Sequence, residues 1–266
     1  MPSSEQKSRI LDKLRRTMLR TVGEHRLIEE GDRILVAVSG GKDSLTLLDL
    51  LRAARRKAPV RFDLVAAHLD QGQPGYDGAA LARWLEDLGT THEILHEDTY
   101  SIVKARARDA SSYCAPCSRL RRGILYTAAA RLGCNKVALG HHRDDALETL
   151  LLNLFYAGRL QAMPARYTTG DGRFVVIRPL IECAEEDIAR HAAAAGYPVM
   201  PCTLCGAQVG LKREVVARLL AQLEKEIPGV RRVMLGALKN VRATHLLDRE
   251  VAEAWLSRAQ DYKPRR

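Results

Sequence analysis

Two kinds of grouping in this chain have the residue types for chemistry: glycine-rich polar segments and paired cysteines. The first segment is Ser39-Gly40-Gly41-Lys42-Asp43-Ser44. Its glycines let backbone N–H groups approach an anion closely. A helix starting there adds unpaired donors and a partial positive charge. The Ser39 and Ser44 hydroxyls can donate further hydrogen bonds to phosphate oxygens. The string is neither G-x-x-x-x-G-K-[ST] nor G-x-G-x-x-G. The plainer alternative is a tight strand-to-helix turn capped by Asp43 or Ser44.

The second segment is Gly140-His141-His142-Arg143-Asp144-Asp145, with Glu148 and Thr149 beyond it. A glycine at its head permits close approach of a ligand. Asp144 or Asp145 can cap a helix or hold Mg²⁺ through water.

Four of the six cysteines form C-x-x-C pairs, Cys114/Cys117 and Cys202/Cys205. Each pair brings two thiolates within reach of one metal. The two pairs suit a tetrahedral zinc site, an iron–sulfur cluster or a redox disulfide, and spacing alone does not choose. Cys134 and Cys183 stand among apolar neighbours and read as packing residues. Arg119, Arg121 and Arg122 follow the first pair. At helical spacing Arg119 and Arg122 share a face. They suit nucleic-acid phosphate or an anionic cluster, against the plainer reading of a solvated helix face. Arg143 and Arg178 are weaker candidates of the same kind. His68, His92 and His96 carry no motif and read as ordinary strand or surface residues.

The elements that must position these groups follow from periodicity. Residues 4–30 read as a helix with a basic face. Arg33 to Val38 is a short β-branched run, hence a buried strand. Helical periodicity runs from Asp43 to Arg56. Phe62 to Leu69 reads as a strand ending at Asp70, followed by a turn-rich loop over 72–78. A helix over 79–88 and a strand over 91–95 come next, and residues 99–113 are ambiguous. The spacing then predicts a helix over 118–132, a strand over 136–139 and a helix over 144–156. This alternation predicts a doubly wound parallel sheet covered on both faces. Ligands of such folds sit at the carboxyl ends of the strands, which puts Val38, Asp70 and Gly140 around one crevice. After residue 157 the rhythm breaks. A loop over 158–173, a short strand within 174–179 and helices over 185–195, 209–226 and 229–240 are expected.

The chain of 266 residues is 46% hydrophobic and 28% charged, which is ordinary globular composition. Lys and Arg number 42 against 32 Asp and Glu, a formal net charge of +10. That surplus favours anionic partners such as nucleic acid. No run approaches the ~18 apolar residues of a membrane span. The polar, basic start has no secretory signal pattern. A cytoplasmic setting without a membrane is therefore expected, and there disulfides are the weak reading of the cysteines.

The SGGxDS loop resembles that of the PP-loop ATP pyrophosphatases. The flanks sharpen the resemblance: Leu69-Asp70-Gln71-x-Gln73-Pro74-Gly75, Cys114-Ala-Pro-Cys117, Gly140-His-His-Arg-Asp-Asp145, Val176-Ile177-Arg178-Pro179-Leu180 and Pro201-Cys202-Thr-Leu-Cys205-Gly-Ala-Gln208. Together they resemble the tRNA 2-thiocytidine synthetase family over about residues 30–250. Ala207 stands where that family's pattern has serine.

The resemblance implies an adenine-nucleotide α-hydrolase-type α/β fold with extra helices at both ends. It divides the chain into a basic N-terminal helix (1–30), a PP-loop ATPase domain (31–182) and a helical C-terminal segment (183–266). It implies ATP-dependent conversion of a cytidine at position 32 of the tRNA anticodon loop to 2-thiocytidine. Adenylation at C2 would come first and sulfur transfer second. Ser39, Gly40, Gly41, Lys42, Asp43, Ser44, Asp70, Gly140, His141 and Asp145 would bind ATP and Mg²⁺. Cys114, Cys117 and Cys205 would hold a [4Fe–4S] cluster, with Cys202 as competitor for third place. Three ligands leave one iron open for sulfide. Asp43 and the three cysteines are the implied catalytic residues, and Arg119, Arg121 and Arg122 the RNA contacts. A cysteine desulfurase or sulfur carrier as donor, and a homodimer, are implied as well. The competing readings are a PP-loop enzyme of the 2-thiouridine or lysidine type and a zinc-stabilised RNA-binding protein.

Overall fold

The structure is a computed structural model and describes residues 4–106, 114–200 and 212–258. The chain divides into two compact units, residues 1–219 and 220–266.

The first unit is built around a twisted sheet. Its strands are β1 (Asp32–Val38), β2 (Phe62–Asp70), β3 (His92–His96), β4 (Lys136–Ala138), β5 (Arg166–Thr168) and β6 (Val175–Ile177). Among the described residues they are ordered β3-β2-β1-β4-β6-β5. All neighbours are parallel except β5, which runs antiparallel to β6 at the edge. The helices are α1 (Ser4–Glu24), α2 (Lys42–Arg55), α3 (Ala79–Asp87), α4 (Thr99–Arg106), α5 (Cys114–Arg131), α6 (Arg143–Tyr156) and α7 (Glu185–Ala195), and α8 (Lys212–Glu226) runs across the boundary into the second unit. The doubly wound parallel sheet expected from the alternation is present.

β1 and β2 are buried on both faces, which explains their near-continuous apolar runs. One core layer packs Leu45, Leu47, Leu48 and Leu51 of α2 with Met18 of α1 and Ile188 of α7. The other packs Leu125, Ala128 and Ala129 of α5 on Leu35, Val65 and Val137. Strand order reverses between β1 and β4, so their carboxyl ends open a crevice at the topological switch point. The opposite ends of these strands are clamped. Lys136 Nζ, buried, lies 2.7 Å from the buried Asp32 carboxylate and 2.8 Å from Glu29.

Several expected elements differ. α1 stops at Glu24 rather than residue 30. Arg26 adopts a φ of 48°, and the chain turns to bury Leu27 fully. α5 begins at Cys114, four residues before the expected start, so the first cysteine pair is helical. β5 lies inside the segment read as a loop. It is three residues long and mostly exposed, too short for alternation to announce it. In the second unit, α9 (Val230–Lys239) is capped by Glu224, whose carboxylate accepts the Gly229 and Arg231 N–H groups at 2.7 and 3.1 Å. α10 (Arg249–Arg258) follows and has no counterpart in the sequence reading. Among the described residues no helix is long and apolar enough to cross a membrane.

Candidate active site

The loop Ser39–Gly41 joins the end of β1 to the start of α2, as its composition implies. Gly40 has a φ of 82°, a conformation few other residues adopt. Ser44 closes the turn. Its Oγ accepts the Ser39 N–H at 3.0 Å and donates to the Gly41 carbonyl at 2.9 Å. Ser39 Oγ, at 3.1 Å from Ser44 Oγ, completes the ring. The first N–H groups of α2 lack intrahelical acceptors and face the same opening, where the helix dipole favours an anion.

Lys42 and Asp43 are the charged members of the loop. Lys42 Nζ lies 2.9 Å from Glu185 at the start of α7 and 3.1 Å from Asp43 Oδ1. Burial pulls the Lys42 ammonium down, but Glu185 and Asp43 outweigh it and hold its pKa above the ordinary value. Burial raises the Asp43 carboxyl, opposed by His142 and Lys42. Asp43 Oδ1 is buried and accepts no hydrogen bond of good geometry, despite the nearby ammonium.

The Gly140–Asp145 segment faces this loop from the end of β4. A Cβ on Gly140 would lie 3.0 Å from Ser44 N and 3.1 Å from Asp43 C and Ser44 Cα, so backbone meets backbone there. His142 and Asp145 cap α6 reciprocally. The His142 N–H donates to the Asp145 carboxylate at 3.0 Å, and the Asp145 N–H donates to His142 Nδ1 at 3.4 Å. Nδ1 being an acceptor, the ring proton belongs on Nε2, which lies 3.3 Å from Asp145 and 3.8 Å from Asp43. Asp144 faces away. It is 2% exposed and accepts the Glu185 N–H at 2.9 Å, so its carboxylate caps α7. Of the two aspartates, only Asp145 borders the crevice. Burial pushes His141 down to about 4. Its neutral Nδ1 accepts the Arg178 Nε–H at 3.3 Å.

The cysteine side of the crevice begins at the end of β2. Asp70 accepts the Gly72 N–H at 2.9 Å and lies 3.2 Å from His96. Next to it, Gln71 Oε1 accepts the Cys117 thiol at 3.3 Å. Cys114 and Cys117 lie in the first turn of α5, at i and i+3. Arg119 and Arg122 are exposed on that helix, and Arg121 is half-buried and adds slightly to the lowering of His68 that burial chiefly causes. Cys202 and Cys205 lie outside the described residues. Cys134 and Cys183 are buried in the core, and burial drives the Cys183 thiol up to about 12. They are inert packing thiols.

Several site residues carried no signal in the sequence. Met200, two positions before Cys202, donates its N–H to the Gly40 carbonyl at 2.9 Å, and its side chain packs on Gly40. Arg213 reaches Asp145 at 2.9 Å and Glu148 at 2.6 Å. His68 is not an ordinary strand residue. It is 3% exposed, with Nδ1 2.7 Å from the Val38 carbonyl and Nε2 2.6 Å from the Tyr76 hydroxyl. It pins the loop after β2 to the root of the phosphate loop. A buried polar ring leaves no periodic trace, and the other contacts join segments far apart in the chain.

A phosphate loop and an acidic helix start facing each other across the β1/β4 switch point define a PP-loop nucleotide-binding protein. The PP-loop domain family matches residues 10–198. The chain belongs, more narrowly, to the tRNA-cytidine(32) 2-sulfurtransferase family. It is 51% identical over 244 residues to the tRNA-cytidine(32) 2-sulfurtransferase of Deinococcus radiodurans, covering 92% of this chain and 82% of that relative. It is 50% identical over 254 residues to that of Anaeromyxobacter sp., covering 96% and 84%. Among solved structures, the U34-tRNA thiolase NcsA from Methanococcus maripaludis with its [4Fe-4S] cluster aligns with a TM-score of 0.67 at 20% identity. That alignment covers 97% of this chain and 81% of that one, and it supports the shared fold.

Proposed function

We propose that this chain thiolates cytidine 32 of tRNA at C2, using ATP. The observation that carries the reading is the meeting of three parts at one end of the sheet. These are the Ser39–Ser44 loop, the Gly140–Asp145 helix start and the Cys117 thiol beside Asp70 and Gln71. The relatives named above supply the substrate class.

Cytosine C2 carries an oxygen that is a poor leaving group. Adenylation of that oxygen by ATP, with release of pyrophosphate, makes it leave as AMP when sulfur attacks C2. The Gly40, Gly41, Lys42 and Ser44 positions would hold the β- and γ-phosphates through backbone N–H groups and the Lys42 ammonium. Asp43 suits Mg²⁺, and Asp145 would join it by giving up its ion pair with Arg213. Asp43 Oδ1 is buried without a hydrogen bond, and both carboxylates border His142. His141 would stay neutral at physiological pH and so add no charge beside the nucleotide. Asp70 and Gly140 would form the rim. Arg119, Arg121 and Arg122 would bind backbone phosphate of an anticodon loop whose base is unstacked into the crevice.

Cys114 and Cys117, on one helical turn, are soft thiol donors at a spacing that fits one metal centre. Cys205 is the proposed third ligand and Cys202 its alternative. A [4Fe–4S] cluster held there would carry the sulfur that the donor delivers and that is then transferred. We assign the chain functionally to residues 1–30, 31–182 and 183–266, with a cytoplasmic setting, a cysteine desulfurase or carrier as donor, and a second copy as partner.

Purification without oxygen followed by iron, sulfide and zinc analysis tests the reading. About four irons and four sulfides per chain, with ATP-dependent 2-thiocytidine formation on tRNA, is the expected result. One zinc and no iron would overturn the cluster assignment and favour a Cys₄ zinc site. An iron-loaded chain that leaves cytidine unmodified but thiolates uridine would overturn the substrate.

A further inference from the structure

Gln71 stands between the loop after β2 and the cysteine helix. Its backbone carbonyl accepts the Tyr100 N–H at 3.0 Å. Its side-chain Oε1 accepts the Thr99 hydroxyl at 3.4 Å and the Cys117 thiol at 3.3 Å. Thr99 is 2% exposed, in the first turn of α4. The amide is thus tied to α4 on one side and reaches a sulfur on α5 on the other.

A side-chain amide carries an acceptor oxygen on one side and a nitrogen with two hydrogens on the other. Half a turn about its last bond exchanges them. Toward a thiol, the oxygen accepts S–H. A metal-bound sulfur has no hydrogen to give. Toward it the nitrogen donates one N–H to sulfur and the other to the Thr99 hydroxyl, which accepts as readily as it donates. Neither orientation leaves Thr99 or the sulfur without a partner. A carboxylate at this position has no hydrogen to offer, and an alkyl group has neither function. Hydrogen bonds to ligating sulfur orient the ligand and set the reduction potential of the centre.

We propose that Gln71, backed by Thr99, is a positioning residue for Cys117. It serves the free thiol through its carbonyl and the cluster-bound sulfur through its amide nitrogen. This rests on the cluster reading of Cys117 and goes beyond it by assigning an outer partner that tunes the centre.

The test uses the full chain purified anaerobically, as parent, Gln71→Leu, Gln71→Glu and Thr99→Val. Iron content, the thermal midpoint and the reduction potential, followed by electron paramagnetic resonance, are measured for each. Gln71→Leu is expected to take up iron with its potential shifted negative, because a donor to sulfur is gone. Gln71→Glu is expected to shift further or lose iron, because a negative charge replaces that donor. Thr99→Val is expected to shift the same way by less. A parent chain without iron would overturn the cluster reading itself. An iron-loaded parent with an unchanged potential and spectrum in Gln71→Leu would overturn the Gln71 assignment alone. A lowered thermal midpoint with no movement of the potential in either Gln71→Leu or Thr99→Val would reduce the residue to a structural role, and so overturn it too.

Discussion

Gly140→Ala is the substitution whose effect the geometry specifies best. The added carbon would sit 3.0 Å from Ser44 N and 3.1 Å from Asp43 C and Ser44 Cα, where ordinary contact begins at 3.4 Å. All three neighbours are backbone atoms at the start of α2, so no flexible side chain can swing aside. The two segments must part by a few tenths of an ångström, which moves the N–H groups that would hold phosphate. Overpacking of this kind costs about 1–3 kcal/mol. If that strain falls on the nucleotide-bound geometry, ATP affinity drops roughly 5- to 150-fold. Titration calorimetry with ATP and Mg²⁺, without tRNA, reads this directly, and urea unfolding of the same samples reads the stability. Gly123→Ala is the control. Gly123 sits within α5 with nothing within 4 Å of a new Cβ. It should leave ATP binding unchanged and stabilise the chain by up to about 1 kcal/mol. ATP binding by Gly140→Ala within twofold of the parent would refute the reasoning, even if the protein were less stable.

Asp43→Ala should leave iron content intact and remove ATP-dependent thiolation, checked by metal analysis and by nucleoside analysis of reacted tRNA. Cys114→Ala, Cys117→Ala and Cys205→Ala should each abolish iron uptake and thiolation. Cys183→Ala should retain both and lose about 1 kcal/mol of stability from a small core deletion, read by urea unfolding. Acidification should weaken the fold. His141 is held near 4 against an ordinary 6.5, chiefly by burial, and burial also lowers His68 and His191. Between those pH values the unfolded chain binds protons that the folded chain does not. Stability present above pH 6.5 is therefore lost progressively toward pH 4. Urea midpoints at pH 7 and pH 5 should differ in that direction, and by less in His141→Gln.

Most of the nucleotide half of the site is written locally. The Ser39–Ser44 loop is recognisable because a β-branched run precedes it and helical periodicity follows it, all within neighbouring residues. The same holds for Gly140–Asp145 and for the alternation that fixes a parallel sheet. The cysteine pairs also declare themselves by spacing, although spacing by itself does not choose between zinc, cluster and disulfide. Tertiary structure decided the rest, because it depends on contacts between distant segments. Placing β4 beside β1 is what brings Gly140 onto Ser44. The same packing turns Asp144 inward to cap α7 and leaves Asp145 on the crevice, a choice the two adjacent residues leave open and only the resemblance favoured. Met200 on Gly40 and Arg213 on Asp145 have no periodic or motif signal, and the motifs holding Gln71 and Cys117 say nothing of their contact, since each pair joins residues from separate elements. His68 looked ordinary because a single polar residue in a strand shows nothing of its partners, and only packing makes it the buried link between Val38 and Tyr76. β5 escaped because a three-residue edge strand has too few positions for a pattern.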